Sequence, residues 1–354
     1  MPIAPPPPFL PPRFEFVRPS PEAMEREPEA LTQGLRSLGD RRLLTLKVPP
    51  DWGGQGLGRQ EFFAFQQALT RHSGTLAFTQ TQHQTAASLI AQGENAALKA
   101  EYLPAMAGGQ ILVGVGYSQL RRSGPPSLQA QPSDRGYRLT GTIPWITGWG
   151  IFQAAVIAAT LPDSRSIWGL LPLRPSPQVE FSAPLPLAGM PATQTVSATL
   201  KDYELRGDRL LGQKTADWIS TKDETGVLNA TAFSLGSAQA ALDWVQTASQ
   251  QFPALLPSYQ QLARQLKHRQ AAIAAALLDP ETPLARQVEL RGAAIALAGR
   301  CAQAAVTVTR GAANQLSHPA GRIYREMLVF TVSGQTPAVL AATLAEIAQG
   351  EDHA

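Results

Sequence analysis

The stretch "GYRLTGTIPWITG", residues 136–148, repeats apolar side chains at Leu139, Ile143 and Trp145. Such alternation is typical of a half-buried β-strand. Three glycines and a proline in the same stretch are unusual for a strand that only fills a core. Two interpretations are open for its end at Trp145 and Thr147. These side chains pack against other side chains, or they face a flat ligand.

The composition is that of a globular protein. The 354 residues include 44% hydrophobic and 16% charged residues, and the net charge is +3. A chain of this length buries a large core and forms roughly two to three domains. Its basic residues are spread out, with no run longer than a pair such as Arg41-Arg42. A nucleic-acid surface needs a concentrated basic patch, so we expect no nucleic-acid partner.

Cysteine and histidine usage argues against a metal centre. Cys301 is the only cysteine, which excludes an intrachain disulfide and a multi-thiolate site. The five histidines show no close metal-ligand spacing. We also find no long apolar run and no signal pattern at the N-terminus. The expectation is a cytoplasmic protein without a membrane span or a metal.

The pattern changes along the chain and predicts four segments. A proline-rich arm at 1–20 is followed by helical periodicity at 21–110. Short apolar or alternating runs at 111–213 predict an antiparallel β-barrel or sandwich. Helical periodicity returns at 214–354 and predicts a C-terminal four-helix bundle. Its helices are expected near 223–250, 257–278, 283–315 and 336–349. The expected fold class is α+β, mainly α, because helices and strands are segregated along the chain.

Four motifs in this order resemble the acyl-CoA dehydrogenase family of flavoproteins. They are "VPPDWGGQGL" (48–57), "YLPAMAGGQILVGVGYS" (102–118), "GYRLTGTIPWITG" (136–148) and "PLAGMPATQTVSATLKDYELRGDRLLG" (186–212). The resemblance extends from about residue 46 to residue 345. It implies an N-terminal helical domain, a central β-barrel and a C-terminal bundle. It also implies FAD as the cofactor, with FMN as the alternative.

The resemblance implies a flavin-facing role for four residues. Trp145 would pack near the flavin, and Thr147 would offer its hydroxyl and amide to the central ring nitrogen. Tyr117 and Ser118 match the other flavin-facing segment. A tryptophan suits the flat apolar ring, and hydroxyls suit its polar edge. The alternative is that the aromatic residues are barrel core and Thr147 is a turn former. Trp149 lies past the match, as a barrel lid or a pocket wall.

The chain departs from the family pattern after Ser118. Gln119 stands where the family has a glutamate, and the following serine-aspartate pair is missing. Arg121 and Arg122 have no family counterpart. Two adjacent guanidinium groups suit a phosphate or a carboxylate of the substrate, and a solvated charged loop is the alternative.

The catalytic base is the second departure. In dehydrogenase members a glutamate removes the α-proton of the thioester. The matching segment here is "RIYREMLVFTVSGQTPAVL", in which Arg325 matches a family arginine, a candidate for substrate or phosphate binding, and Ser333 stands at the glutamate. A serine is not such a base unaided, so the catalytic residue is unknown. Glu224 and Glu289, on other helices, lack a supporting motif.

Three functions stay open at this point. The first is a flavin-dependent oxidoreductase that acts on an acyl-CoA or a similar small substrate. The second is a reduced-flavin-dependent monooxygenase, in which His83 or His318 assists near the ring, although both also suit structural roles. The third is a catalytically degenerate flavin-binding or scaffold protein. Alanine-rich bundle faces favour a homodimer or homotetramer.

Overall fold

The protein is described by a computed structural model that covers residues 9–348. Eleven helices are present in this part of the chain: α1 Pro21–Arg26, α2 Pro28–Gly39, α3 Arg59–His72, α4 Gly74–Gln92, α5 Ala96–Ala107, α6 Trp218–Thr225, α7 Thr231–Gln251, α8 Leu256–Leu278, α9 Leu284–Thr309, α10 Pro319–Val332 and α11 Pro337–Ala348. Eight strands lie between α5 and α6: β1 Val113–Gly116, β2 Leu128–Ser133, β3 Gly136–Ile146, β4 Ala154–Thr160, β5 Ser166–Pro172, β6 Val179–Phe181, β7 Val196–Arg206 and β8 Leu210–Lys214. This order of helices, strands and helices confirms the predicted fold class.

The described residues form two compact units. One unit comprises residues 9–16, 57–77 and 226–348, and the other comprises 17–56 and 78–225. Each unit combines pieces of the predicted segments, so the four domain boundaries stay a prediction. The first eight residues of the predicted proline-rich arm lie outside the described residues.

The sheet belongs to the second unit. Its strands follow the order β6-β7-β3-β2-β4-β5-β8, and β1 pairs with β4. Five pairings are antiparallel, and only the contacts of β1 and β2 with β4 are parallel. Strand β4 is buried on both faces. Val156 and Ala158 join one apolar cluster, whereas Ala155 and Ile157 join the other.

The motif "VPPDWGGQGL" is a tight turn in the second unit. The amide N–H groups of Gly54 and Gly56 donate to the carbonyl oxygens of Pro49 and Val48. A Cβ added to Gly54 would lie 2.0 Å from the Val48 carbonyl oxygen. Only glycine fits there, which explains this residue of the motif.

The first unit is a helical bundle of α3 and α7 to α11, in which glycines allow close packing. A Cβ on Gly236 of α7 would lie 2.5 Å from the Gln67 carbonyl oxygen of α3. A Cβ on Gly292 of α9 would lie 2.8 Å from the Ala342 carbonyl carbon of α11. Small residues at these crossings therefore set the interhelical distance.

Two helices of the bundle differ from the prediction. The predicted helix at 223–250 is interrupted, because α6 ends at Thr225 and α7 begins at Thr231. Helix α10 was absent from the predicted set, although its residues lie within the matched motif. Its first turn is set by Pro319, which has no N–H to lose at a helix start.

The segment Leu284–Asn314 is long and apolar enough to cross a membrane by length and composition. The protein buries 56% of the most apolar 18 residues of this segment. Burial of this kind is also what a central bundle helix shows.

Candidate functional site

The ends of β1 and β3 meet in the second unit. A Cβ added to Gly116, the last residue of β1, would lie 2.9 Å from Cγ1 of Ile146, the last residue of β3. Glycine is required for this close approach. It brings the segment that follows β1, with Tyr117 and Ser118, next to the segment around Ile146. Two of the sequence motifs thus converge in space.

Ser118 begins a short 3₁₀ turn, Ser118–Arg121. Its Oγ is buried and has no hydrogen-bond partner among the described residues. A buried hydroxyl without a partner typically costs about 1–3 kcal/mol. The side chain of the next residue, Gln119, is half satisfied, because Nε2 donates to the Ala158 carbonyl oxygen at 2.8 Å while Oε1 is buried without a partner. Such atoms suggest an external hydrogen-bonding group.

Trp145 is the exposed aromatic residue at the end of β3. This residue is 43% exposed, which is unusual for tryptophan, a residue that is highly buried on average. Trp149 differs, since its ring lies 4.4 Å from that of Phe181, centroid to centroid, and packs against an apolar cluster. Trp145 and Trp149 therefore have different environments. Only Trp145 presents an open apolar face.

Thr147 begins a chain of three buried hydroxyl groups. Its Oγ1 lies 3.3 Å from Oγ1 of Thr195, which lies 3.4 Å from Oγ1 of Thr193. Thr193 donates its proton to the Met190 carbonyl oxygen at 2.8 Å. Thr193 can therefore only accept from Thr195. The proton of Thr147 is left to point toward Thr195 or toward an external acceptor.

A strained turn holds this chain of hydroxyls. Met190 and Gln194 have φ angles of 56° and 47°, in the left-handed region that side chains rarely adopt. Each such residue costs on the order of 1–3 kcal/mol, and such strain often lies at ligand clamps. Hydrogen bonds stabilise the turn, because the N–H groups of Gly148 and Trp149 donate to the carbonyl oxygens of Thr193 and Gln194. The turn thereby positions the segment after Thr147.

Tyr117 lies against a group of aromatic and cationic side chains. Its ring centroid is 4.8 Å from that of Trp168, and its hydroxyl accepts a hydrogen bond from Nζ of Lys222 at 3.0 Å. The hydroxyl is therefore engaged within the protein, while the backbone of Tyr117 continues into Ser118.

Arg121 has an internal partner. Its Nε and Nη2 donate to the two carboxylate oxygens of Asp223 at 2.7 and 2.9 Å. Burial alone would lower the pKa of Arg121, but the hydrogen bond and charge of Asp223 outweigh it and raise this pKa. Arg122 is exposed. The predicted phosphate grip by this pair of arginines stays a prediction, although Asp223 already occupies one of the two guanidinium groups.

His83 is fully buried in the second unit. The Val113 N–H donates to Nδ1 at 3.0 Å, so Nε2 carries the proton and donates to the Met106 carbonyl oxygen at 3.1 Å. Burial lowers its pKa to about 4, against the opposing effect of the two backbone contacts. The ring is therefore neutral at pH 7 and both nitrogens are used by the backbone. This geometry is that of a structural histidine.

His318 and Arg325 lie in the first unit, at the start of α10 and within it. His318 is the N-cap, and its Nδ1 accepts a hydrogen bond from the Ala320 N–H at 3.2 Å. Its ring also contacts Trp244, with the centroids 5.3 Å apart. Arg325 donates from Nη2 to the Leu316 carbonyl oxygen at 3.1 Å. Both side chains thus stabilise the entry into this helix.

Ser333 caps the C-terminus of α10. Its Oγ donates to the Val329 carbonyl oxygen at 2.7 Å, and its own carbonyl oxygen accepts from Nη2 of Arg291 at 2.9 Å. Both polar groups of the residue have partners. The alternative carboxylates Glu224 and Glu289 are exposed. The residues that replace the usual glutamate segment therefore build a helix end.

A buried ion pair lies on the same helix. Nη1 of Arg322 contacts Oε2 of Glu326 at 2.6 Å, and both side chains are buried. Oε1 of Glu326 accepts from the N–H and the hydroxyl of Thr75, both at 2.9 Å. Glu326 thus caps the start of α4, where the helix dipole favours a negative charge.

Comparisons with known proteins relate the chain to one family by sequence and by fold. Residues 15–110 match the profile of the acyl-CoA dehydrogenase N-terminal domain. Isovaleryl-CoA dehydrogenase from Pongo abelii is 24% identical over 211 residues, which cover 56% of this chain and 50% of the relative. Very long-chain specific acyl-CoA dehydrogenase from Rattus norvegicus is 28% identical over 42% of this chain and 23% of the relative. The chain thus matches half of the length of the first curated relative and less of the second.

Solved structures extend the likeness to nearly the whole chain. Butyryl-CoA dehydrogenase from Megasphaera elsdenii has a TM-score of 0.78 at 17% identity, and the match covers 95% of this chain and 96% of that one. This is the acyl-CoA dehydrogenase fold. An acyl-CoA dehydrogenase from Bacillus anthracis, solved in complex with FAD, has a TM-score of 0.76 at 19% identity, over 95% of this chain and 65% of that chain. The resemblance seen in the sequence is confirmed: residues 15–110 match the N-terminal domain of the family, and the chain has the fold of acyl-CoA dehydrogenases.

The cofactor that the acyl-CoA dehydrogenase fold implies is a flavin, and the residues present fit one. The buried Oγ of Ser118 lacks a partner, Trp145 has an open face, and Thr147 has a proton whose direction is not determined by the protein alone. A flat apolar ring with a polar edge would satisfy all three.

Several residues of this region were missed in the sequence. Thr193 and Thr195 lie two residues apart in "PATQTVS", and their hydroxyls meet because of the turn Pro191–Thr193 and the left-handed Gln194, which the sequence pattern does not indicate. Lys222, Asp223 and Trp168 had no sequence signal, since each lies alone among unrelated residues.

Proposed function

We propose that the protein is a flavin-dependent oxidoreductase of the acyl-CoA dehydrogenase type, which binds FAD at the ends of β1 and β3. An acyl-CoA thioester or a similar small substrate would react over the ring. The observation that carries the proposal is the buried, unpartnered Oγ of Ser118, at the point where the two flavin-matching motifs converge.

The residues divide the binding of the ring among them. Trp145 covers one apolar face, Ser118 bonds the polar edge, and Thr147 donates its hydroxyl proton to the central ring nitrogen. Thr195 has one proton, and when it directs that proton at Thr147 in place of Thr193, the Thr147 proton is free for the ring. When bound, the flavin would supply two-electron oxidation of the substrate.

The proposal assigns no catalytic base to the position of Ser333. That residue is a satisfied helix cap, and a dehydrogenase would need a carboxylate from elsewhere. This observation favours a second candidate, a protein that retains the flavin and has lost dehydrogenation. The monooxygenase alternative would not draw on a free ring nitrogen of His83, since both are bonded to the backbone.

The experiment begins with the visible spectrum of the purified full-length protein and titration with FAD and FMN. We expect flavin absorption bands and stoichiometric binding, with FAD bound more tightly than FMN. Absence of binding of either flavin would refute the proposal. Thr147→Val should weaken binding, whereas Thr142→Val, on the same strand, is the matched control.

A second measurement separates the two candidate functions. Anaerobic addition of acyl-CoA thioesters of different chain lengths to the flavin-loaded protein should bleach the flavin if the protein is a dehydrogenase. A flavin that binds stoichiometrically and is never bleached would identify the degenerate form. Oxygen uptake with reduced flavin and a reductase would identify a monooxygenase.

The oligomer is proposed to be a homodimer or homotetramer formed through the bundle. Exposed apolar side chains line one face of α10 and one face of α11: Tyr324, Leu328 and Val332, and Leu340, Leu344 and Ile347. Spacings of three and four residues place each set on one helix face. Light scattering should show a dimer or tetramer, and Leu328→Asp should produce monomers. A wild-type monomer at all concentrations would contradict this.

A further inference from the structure

Two lysines in the second unit converge on one tryptophan. Trp218 is the first residue of α6. Nζ of Lys214, at the end of β8, lies 4.4 Å from the centroid of its ring, and Nζ of Lys222 lies 4.8 Å from the same centroid. Trp218 itself packs edge-on against the buried Trp168. The indole thus contacts both ammonium groups.

The two lysines have no carboxylate partner among the described residues. The carboxylate of Asp223, next to Lys222 in the sequence, is occupied by both donor groups of Arg121. Burial lowers the pKa of Lys214, and the charge of Lys222 lowers it further. Each cation–π contact is worth about 0.5–1 kcal/mol, which explains the attraction of each lysine to the ring. It does not relieve the repulsion between them.

A third group completes the cluster. The Tyr117 hydroxyl accepts a hydrogen bond from Lys222, so its own proton is available, and it has no acceptor among the described residues. The side chain of Tyr117 is 6% exposed. A buried phenol normally donates its proton to an acceptor. Two ammonium groups and one O–H donor thus lie around Trp218 and Tyr117, and no carboxylate among the described residues is bonded to any of them.

We propose that Lys214, Lys222 and the Tyr117 hydroxyl form a binding site for a phosphate or diphosphate group of a small-molecule ligand. A dianion matches two ammonium charges, and its several oxygens accept hydrogen bonds from all three donors. The Arg121–Arg122 grip expected from the sequence is a separate prediction, in which Asp223 already pairs with Arg121. Lysine suits this role as a point charge for phosphate. The site does not depend on the flavin ring.

The test uses the full-length protein and inorganic pyrophosphate as the probe, measured by isothermal titration calorimetry. We expect saturable binding, with weaker binding of inorganic phosphate. Lys214→Gln and Lys222→Gln should each reduce the affinity about tenfold or more, because each removes one charged hydrogen bond. Tyr117→Phe should reduce it by a smaller factor. Lys201→Gln is the matched control, since Lys201 is exposed and paired with Glu180 at 2.9 Å.

Absence of saturable pyrophosphate binding to the wild type would overturn the proposal. So would equal affinities of the wild type and both lysine variants. Lys214→Arg and Lys222→Arg keep the charge and should retain binding, which separates loss of the site from loss of the fold. Circular dichroism of each variant checks the fold directly.

Competition identifies the source of the phosphate. FAD and coenzyme A both contain a diphosphate, whereas riboflavin does not. Displacement of pyrophosphate by FAD but not by riboflavin would assign the site to the cofactor, and displacement by coenzyme A would assign it to a thioester. Displacement by neither, with lysine-dependent pyrophosphate binding, would support a site for a third phosphorylated ligand. A failed flavin titration leaves these results unaffected, so the two proposals fail separately.

Discussion

Ser118 and Ser333 occupy opposite kinds of environment. The hydroxyl of Ser118, at the end of β1, is buried without a partner, whereas that of Ser333, at the end of α10, donates to the Val329 carbonyl oxygen. The sequence motifs assigned both positions to the active site of the family. The difference teaches that two serines matched to the same family site differ in availability: Oγ of Ser118 has no partner among the described residues, whereas Oγ of Ser333 is used by the helix end. The α10 segment has kept its fold and has the chemistry of a helix end.

The largest effect should come from the region around α10, in which the polar side chains have hydrogen-bond partners. Glu326→Ala removes the buried carboxylate that pairs with Arg322 and caps α4, so we expect a loss of about 3–5 kcal/mol in the free energy of unfolding. Urea denaturation measures it. Glu289→Ala, which removes an exposed pair with Arg286, should cost below about 1 kcal/mol. Equal losses in the two variants would show that Glu326 is not a structural carboxylate.

The pH dependence of stability should reveal His83. Burial lowers its pKa to about 4 in the folded protein, compared with about 6.5 in the unfolded chain. The unfolded chain therefore binds a proton between these values that the folded one does not. The contribution is fully present above about pH 6.5 and is lost as the pH falls toward about 4, by about 3 kcal/mol.

Urea unfolding at a series of pH values checks the role of His83. His83→Gln should flatten the profile between pH 4 and 6.5 in comparison with the wild type, and His268→Gln, on the exposed side of α8, should leave it unchanged. A wild-type profile without a slope in this interval would contradict a neutral buried imidazole.

Trp145 and Trp149, near the end of β3, allow the same comparison between an open and a packed side chain. Trp145→Ala should weaken flavin binding by about 2 kcal/mol, because an exposed indole loses only its ligand contact. Its unfolding free energy should change little. Trp149→Ala, which removes the ring packed on Phe181, should instead reduce stability. Flavin titration and urea unfolding of both variants check these expectations. A loss of stability only in Trp145→Ala and a loss of flavin affinity only in Trp149→Ala would contradict them.

The smallest effects should come from the two serines themselves. Ser118→Ala removes a hydroxyl that has no partner, so the free energy of unfolding without flavin should stay the same or rise slightly, while flavin affinity falls about tenfold. Ser333→Ala should lower stability by about 1 kcal/mol and leave flavin affinity unchanged. A loss of stability in Ser118→Ala and a loss of flavin affinity in Ser333→Ala would show that the roles assigned to the two regions are wrong.

Local pattern accounted for much of the fold. Pro28 predicted the break between α1 and α2, and alternation predicted β3. Helix α10 is not among the predicted helices, because its residues were assigned to a catalytic motif. Its apolar positions nevertheless follow a helical period. The break between α6 and α7 also escaped, since a helix end of this kind is decided by the packing of Val227 and Leu228 into the core.

The candidate site was predicted only in part. The resemblance placed Ser118, Trp145 and Thr147 in two motifs that converge in the structure through Gly116, and the flavin-facing roles of the three residues stay a prediction. The partner of Arg121 and the neighbours of Lys214 were not predictable, because they come from residues about a hundred positions away or from another element. A side chain is available to a ligand only if no neighbour uses it.

The sequence by itself determined the fold class, the family resemblance and the loss of the glutamate at Ser333. These follow from periodicity, from glycine and proline positions, and from residue identity, which are local properties. Only the tertiary structure decided which polar groups are satisfied: Arg121, His83 and Ser333 have partners, whereas Ser118 has none. The physical reason is that hydrogen-bond satisfaction depends on atoms brought together from distant parts of the chain, and those distances exist only in the folded protein.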